Sequence, residues 1–240
     1  MVIIAKAGKH HHQRSAAGSS STSLTSASIL TYCLPLTFIL GYALLEKKLL
    51  PRTLWRPLSR LYFYPLMLPN LLWRTFFMKQ PYFSDVDSGL MLGAVPMVCA
   101  GHVKALHADG VRAVVNLQAE YRGPTAAYAA MLPPIRQLWI PITDHTEPTV
   151  DQLLEAVAFI QEHRARGERV LVHCKGGHGR SAAVVMAWLM SEGGGGLNPA
   201  EAQRRLSSIR HVRSSLHKQA NILEYYRRRF DEAAGLERGR

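Results

Sequence analysis

The sequence predicts an α/β domain built round a buried sheet, preceded by a basic, apolar amino-terminal extension. Three observations support this. Beyond Pro81, short apolar runs alternate with helical patterns. A glycine-rich turn joins one such run to a segment that is apolar on every side, Ala182 to Met190. The charge is also unevenly spread: of a net +12, residues 1–80 hold ten Lys or Arg and one acid, while residues 81–240 hold nineteen against sixteen.

A chain of 240 residues accommodates one domain of about 150 residues and additional material. A uniformly basic domain would point to nucleic acid. A basic, apolar first third beside a nearly balanced remainder points to targeting or a membrane surface, and no nucleic-acid partner is expected. Cys33, Cys99 and Cys174 are too few for a disulfide framework and lack metal-ligand spacing. A reducing compartment fits.

Residues 1–28 are rich in Ser, Thr, Ala and Gly, and no acid precedes Glu46, a composition like that of a mitochondrial or plastid transit peptide. A disordered tail is the alternative. Residues 29–80 form a second segment, apolar and basic. Ile29 to Leu45 is an uncharged run close to the lower length limit for a bilayer span, weakened by Pro35 and Gly41. Leu49 to Phe77 interleaves Arg52, Arg56, Arg60 and Arg74 with aromatic residues, as suits a bilayer interface. The alternative is that these rings pack against the domain, since Pro57, Pro65 and Pro69 argue against one long amphipathic helix.

Residues 81–234 form the predicted catalytic domain and 235–240 a tail. Leu90 to Leu92, Val111 to Leu117, Leu138 to Ile142 and Arg169 to Val172 read as strands. A helix is expected from Val150 to about Arg166, with Val150, Leu153, Leu154, Val157 and Ala158 on one face. Thr149 and Gln152 form its capping box and Gly167 stands at its end. Asn198, Pro199 and Glu201 start another helix with Ala202, Leu206 and Ile209 inward. A last one, about Lys218 to Phe230, turns Ile222, Leu223, Tyr226 and Phe230 inward.

The chemistry lies between strand and apolar helix, in His173-Cys174-Lys175-Gly176-Gly177-His178-Gly179-Arg180-Ser181. Glycines let backbone N–H groups converge on a phosphate, and the helix amino terminus adds partial positive charge. The same field stabilises the thiolate of Cys174. Arg180, six residues on, can fork two donors onto phosphoryl oxygens. Ser181 can donate to the thiolate and ease its departure. His173 is read as holding the loop by hydrogen bonding.

Cys-x5-Arg with His before and Ser after resembles the loop of the protein tyrosine and dual-specificity phosphatases. In detail the chain resembles the mitochondrial dual-specificity phosphatase family that acts on phosphatidylglycerophosphate. The likeness covers roughly residues 60–230 and includes Tyr62-Phe63-Tyr64-Pro65, Asp87 to Pro96, Asn116 through Glu120-Tyr121, Asp144 with Thr146 and Pro148-Thr149, Ile209, Arg213-Ser214 and His217. Gly176 and His178 stand where family loops carry Ala and Arg.

The resemblance implies a cysteine-phosphatase fold with a central, mostly parallel twisted sheet flanked by helices. It implies a phosphocysteine intermediate with neither metal nor cofactor, and an anionic phospholipid as substrate at a membrane surface. Asp144, on the turn ahead of the Val150 helix, stands where the family has its general acid; a turn-shaping role is the alternative and Glu147 the reserve acid. His173, Lys175, Gly176, Gly177, His178, Gly179, Glu120 and Tyr121 are the expected substrate-binding residues, though an exposed turn is nearly as good a reading of Glu120 and Tyr121. The implied location is the mitochondrion, at the inner membrane, with the plastid as alternative. A phosphoprotein or phosphoinositide phosphatase is the second reading, and an idle phosphate-binding module the third.

Overall fold

The computed structural model describes residues 26–76 and 80–238. Most of the transit-like segment therefore lies outside the described residues. The chain divides into two compact units, Met1–Ala43 and Leu44–Arg240. A first helix, α1 (Ser26–Glu46), runs across that division. Among the described residues, no helix is long and apolar enough to cross a membrane.

The second unit opens with α2 (Arg52–Phe76), then β1 (Phe83–Asp85), β2 (Leu90–Gly93), α3 (His102–Ala108), β3 (Val111–Asn116), α4 (Thr125–Ala129) and β4 (Arg136–Trp139). It continues with α5 (Val150–Ala165), β5 (Arg169–His173), α6 (Arg180–Met190), α7 (Pro199–Ile209) and α8 (Ala220–Arg238). The sheet order is β1-β2-β5-β3-β4, with β1 antiparallel to β2 and the other pairs parallel. The α/β architecture is the one the sequence predicts, and the sheet is mostly parallel, as the resemblance implies.

Strand alternation sorts the core into two layers. Leu90, Leu92, Ala113, Val115, Val170 and Val172 face α5 and α6, whereas Met91, Val111, Val114 and Leu171 face Val103, Leu106 and Tyr128 of α3 and α4. Every residue of α6 is buried. At about 25 cal/mol per Å² of apolar surface, this central helix and its strands carry much of the stabilisation.

Both predicted capping boxes form, Thr149 with Gln152 on α5 and Asn198 with Glu201 on α7. Several expectations need correcting. The strand expected at Leu138 to Ile142 lies instead at Arg136–Trp139, because Pro141 has no N–H to offer a ladder. Ile140 and Ile142 are buried beyond the strand end. On α5, Ala156 and Ile160 take the buried face and Ala158 is exposed. The last helix begins at Ala220, after a 3-10 turn at Leu216–Lys218, and turns Tyr225 inward while Leu223 is exposed. The Phe230 side chain lies outside the described residues.

Contrary to the reading from its three prolines, α2 is one continuous helix. Pro57, Pro65 and Pro69 are all exposed, as are Thr53, Leu61 and Pro65, the residues whose carbonyls those rings leave unbonded. Water can satisfy them. Trp55, Tyr62 and Phe63 are buried, whereas Leu54, Leu61, Tyr64 and Leu72 are exposed, so the helix has both an inner and an outer apolar face. Phe63 stacks on Tyr121 with centroids 5.1 Å apart.

Candidate active site

The parallel registers align Gly93, Asn116 and His173 across the carboxyl ends of β2, β3 and β5. Ligands of open α/β sheets bind at such ends. From β5, the central strand, the chain enters the loop 174–179 and then α6, so the loop sits between a strand terminus and a helix amino terminus.

Cys174 is buried, and its Sγ accepts from the Gly177 N–H at 3.3 Å and the Ser181 hydroxyl at 3.2 Å. Burial pushes the thiol up, but the Arg180 charge and the donors of Ser181 and His178 outweigh it and hold the pKa below the ordinary thiol value. The site thus favours ionisation of the thiol. Gly177 is the glycine the loop requires: its φ is +67°, and a Cβ there would lie 2.5 Å from the Gly93 carbonyl oxygen.

Arg180 is also buried, and its fork is held from behind. Nη1 and Nη2 donate to the two Glu120 carboxylate oxygens at 2.9 and 2.7 Å, and Nη1 donates to the Ile142 carbonyl at 2.8 Å. Nη2 also meets Asp144 Oδ1 at 2.9 Å. Glu120 is therefore neither an exposed turn residue nor an entrance residue; it is buried and orients the arginine. A buried guanidinium requires such a counter-charge. Tyr121 stays half-buried against Phe63.

Asp144 lies where the chain turns into α5, with Lys175 Nζ 3.7 Å and His145 Nε2 3.9 Å away. Burial pushes its carboxyl up, and Arg180, His145 and Lys175 together bring it below the usual range. The reserve acid, Glu147, instead pairs with Arg213 at 3.9 Å. His173 ends β5 fully buried, and burial drives its pKa to about 3. It is neutral and set behind the loop, so it is not placed to touch substrate as expected. Lys175, Gly176, His178 and Gly179 are half-buried at the mouth, where the His178 and His211 rings lie 5.0 Å apart.

Sequence reasoning missed one supporting residue. Arg210, buried at the end of α7, donates to the Gly177 carbonyl at 3.1 Å, to the Pro81 carbonyl at 2.7 Å and to Ser84 Oγ at 3.1 Å. It ties the back of the loop to the entry of β1. Nothing in its neighbourhood in the sequence distinguishes it from the exposed arginines.

A shielded thiolate, an arginine six residues later and a hydroxyl donor at the start of a buried helix together define the class of cysteine-dependent phosphatases. Residues 96–228 match the family described as the dual specificity phosphatase catalytic domain, and the chain belongs to that family. The phosphatidylglycerophosphate phosphatase PTPMT2 of Arabidopsis thaliana is 32% identical over 174 residues, covering 71% of this chain and 73% of that one. The phosphatidylglycerophosphatase and protein-tyrosine phosphatase 1 of Homo sapiens is 30% identical over 169 residues, covering 65% and 81%. Among solved structures, that of PTPMT1 matches with a TM-score of 0.56 at 27% identity, over 64% of this chain and 99% of that one. The active form of Tk-PTP matches with a TM-score of 0.53 at 31% identity, over 62% and 98%.

Proposed function

We propose that this chain removes the terminal phosphate of phosphatidylglycerophosphate, in phosphatidylglycerol and cardiolipin synthesis, through a phosphocysteine. One observation carries the choice of substrate. The likeness to the two phosphatidylglycerophosphate phosphatases spans 174 and 169 residues, whereas that to the dual specificity protein phosphatase 12 of Mus musculus, at 37% identity, spans 108.

The Cys174 thiolate attacks phosphorus as the bond to the glycerol oxygen breaks, and Asp144 gives that oxygen its proton. A phosphoryl group in the loop takes the Arg180 Nη2 donor that Asp144 otherwise engages. Burial then raises the Asp144 pKa, the direction an acid needs. In the second step ionised Asp144 takes a proton from water, the oxygen attacks phosphorus, and the S–P bond breaks with Ser181 donating to the departing sulfur. The loop N–H groups and Arg180 bind the phosphoryl oxygens, with Lys175 and His178 at the mouth.

Residues 1–28 act as a transit segment, residues 29–80 as the membrane-associating segment, and residues 81–234 as the catalytic domain. The site of action is the mitochondrion, at the inner membrane, with the plastid as alternative. The concentration of positive charge in residues 1–80 supports this. So does α2, where Leu54, Leu61 and Leu72 fall on one exposed face at whole-turn spacings.

The test compares phosphatidylglycerophosphate, phosphatidylinositol monophosphates and a phosphotyrosine peptide on anionic vesicles. A preference of about tenfold or more in kcat/KM for phosphatidylglycerophosphate is expected, roughly 1.4 kcal/mol of barrier. A preference for the peptide would refute the reading.

A further inference from the structure

Next to the Asp144 turn lies a cavity of about 440 Å³ whose basic wall is Lys48, Arg52 and His145. Thr143, His145 and Thr146 of the turn that carries Asp144 line it too. Asp144 itself meets Arg180 through Oδ1, and its Oδ2 lies 3.7 Å from Lys175 Nζ and 3.9 Å from His145 Nε2. The cavity and the phosphate loop are therefore linked through the Asp144 turn.

Three observations mark the cavity as built for an anion. Lys48 and Arg52 meet no carboxylate among the described residues; the Lys48 ammonium lies 6.0 Å from the Trp55 ring centroid. Glu46 Oε1 lies 3.3 Å from His145 Nε2 and, with Asp144, raises the His145 pKa against the opposing effect of burial. The remaining acid on the wall, Glu147, is paired with Arg213 at 3.9 Å.

We propose that the Lys48, Arg52 and His145 cavity binds a phosphodiester of the same substrate molecule whose monoester sits over Cys174. The proposal deepens the lipid-phosphatase reading and rests on it for the identity of that substrate. A glycerol bridge separates the two phosphates of phosphatidylglycerophosphate, and an inositol ring those of a phosphoinositide. A substrate bound this way places one phosphate over Cys174 and the other among Lys48, Arg52 and His145. Trp55 borders the cavity, and its neighbour Leu54 faces solvent on the outer face of α2, leading the acyl chains outward.

The experiment uses the full chain and soluble short-chain lipids below their micelle concentrations, which separates headgroup recognition from membrane binding. Substrates are phosphatidylglycerophosphate, a phosphatidylinositol monophosphate, phosphatidic acid, which carries no diester, and an aryl phosphate. In Lys48→Gln/Arg52→Gln, kcat/KM for the two diester-bearing lipids relative to phosphatidic acid falls about tenfold, chiefly through KM. Lys48→Arg/Arg52→Lys restores most of it. An unchanged ratio, or an equal fall on phosphatidic acid, overturns the site even where phosphatidylglycerophosphate remains the preferred substrate. If the wild-type chain prefers the phosphoinositide and the Gln variant loses that preference, the site stands and the substrate assignment fails.

Discussion

At the residue scale the site is a set of charges that determine one another's state. Cys174 is ionisable because Arg180 and the Ser181 hydroxyl offset the cost of burial. Removing that hydroxyl therefore has a signed consequence. In Ser181→Ala the pH at which Cys174 becomes half-reactive toward iodoacetamide moves upward, because a group that lowers the thiol pKa has gone. Breakdown of phosphocysteine slows about 10- to 100-fold, since the departing sulfur loses its donor. Alkylation rates against pH and single-turnover kinetics check both; an unmoved or lowered half-point contradicts the assignment. Cys174, Arg180 and Ser181 were legible as a spacing. The part played by Glu120 was not, because its pairing with Arg180 spans 60 positions. An isolated acid near a turn looks exposed until the fold brings the arginine to it.

At the scale of elements, the strand, loop and helix around Cys174 are held by close backbone approach. Gly177 combines a positive φ with a virtual Cβ 2.5 Å from Gly93 oxygen, so Gly177→Ala should cost about 3 kcal/mol and distort the loop. Gly179→Ala is the contrast: its Cβ would make ordinary contact with the Arg213 side chain at 3.7 Å, and the expected cost is under about 1 kcal/mol. Urea unfolding of both variants measures the difference; equal costs would contradict this account of the loop. Elements with strong local signals, such as α5 and α7 with their capping boxes, were readable in the sequence. The last strand residues near Pro141 and the continuity of α2 were not. Both depend on whether a proline's missing donor faces the sheet or solvent, and only tertiary structure decides that.

At the scale of the whole molecule, α2 joins the catalytic sheet into one unit while keeping an exposed leucine face. The uneven charge, visible in composition alone, acquires a location: Arg52 and Lys48 lie beside the acid loop 143–147. Composition could identify a basic, apolar third but could not say which of its cations line that cavity. The central claim remains the phosphocysteine on Cys174, tested by acid-quenching the full chain during turnover of an aryl phosphate, with a chelator present, and mapping phosphate by mass spectrometry. One phosphoryl group is expected on the peptide containing Cys174, with longer-lived adduct in Asp144→Ala and none in Cys174→Ser. Phosphate on another residue, or turnover retained by Cys174→Ser, would contradict it.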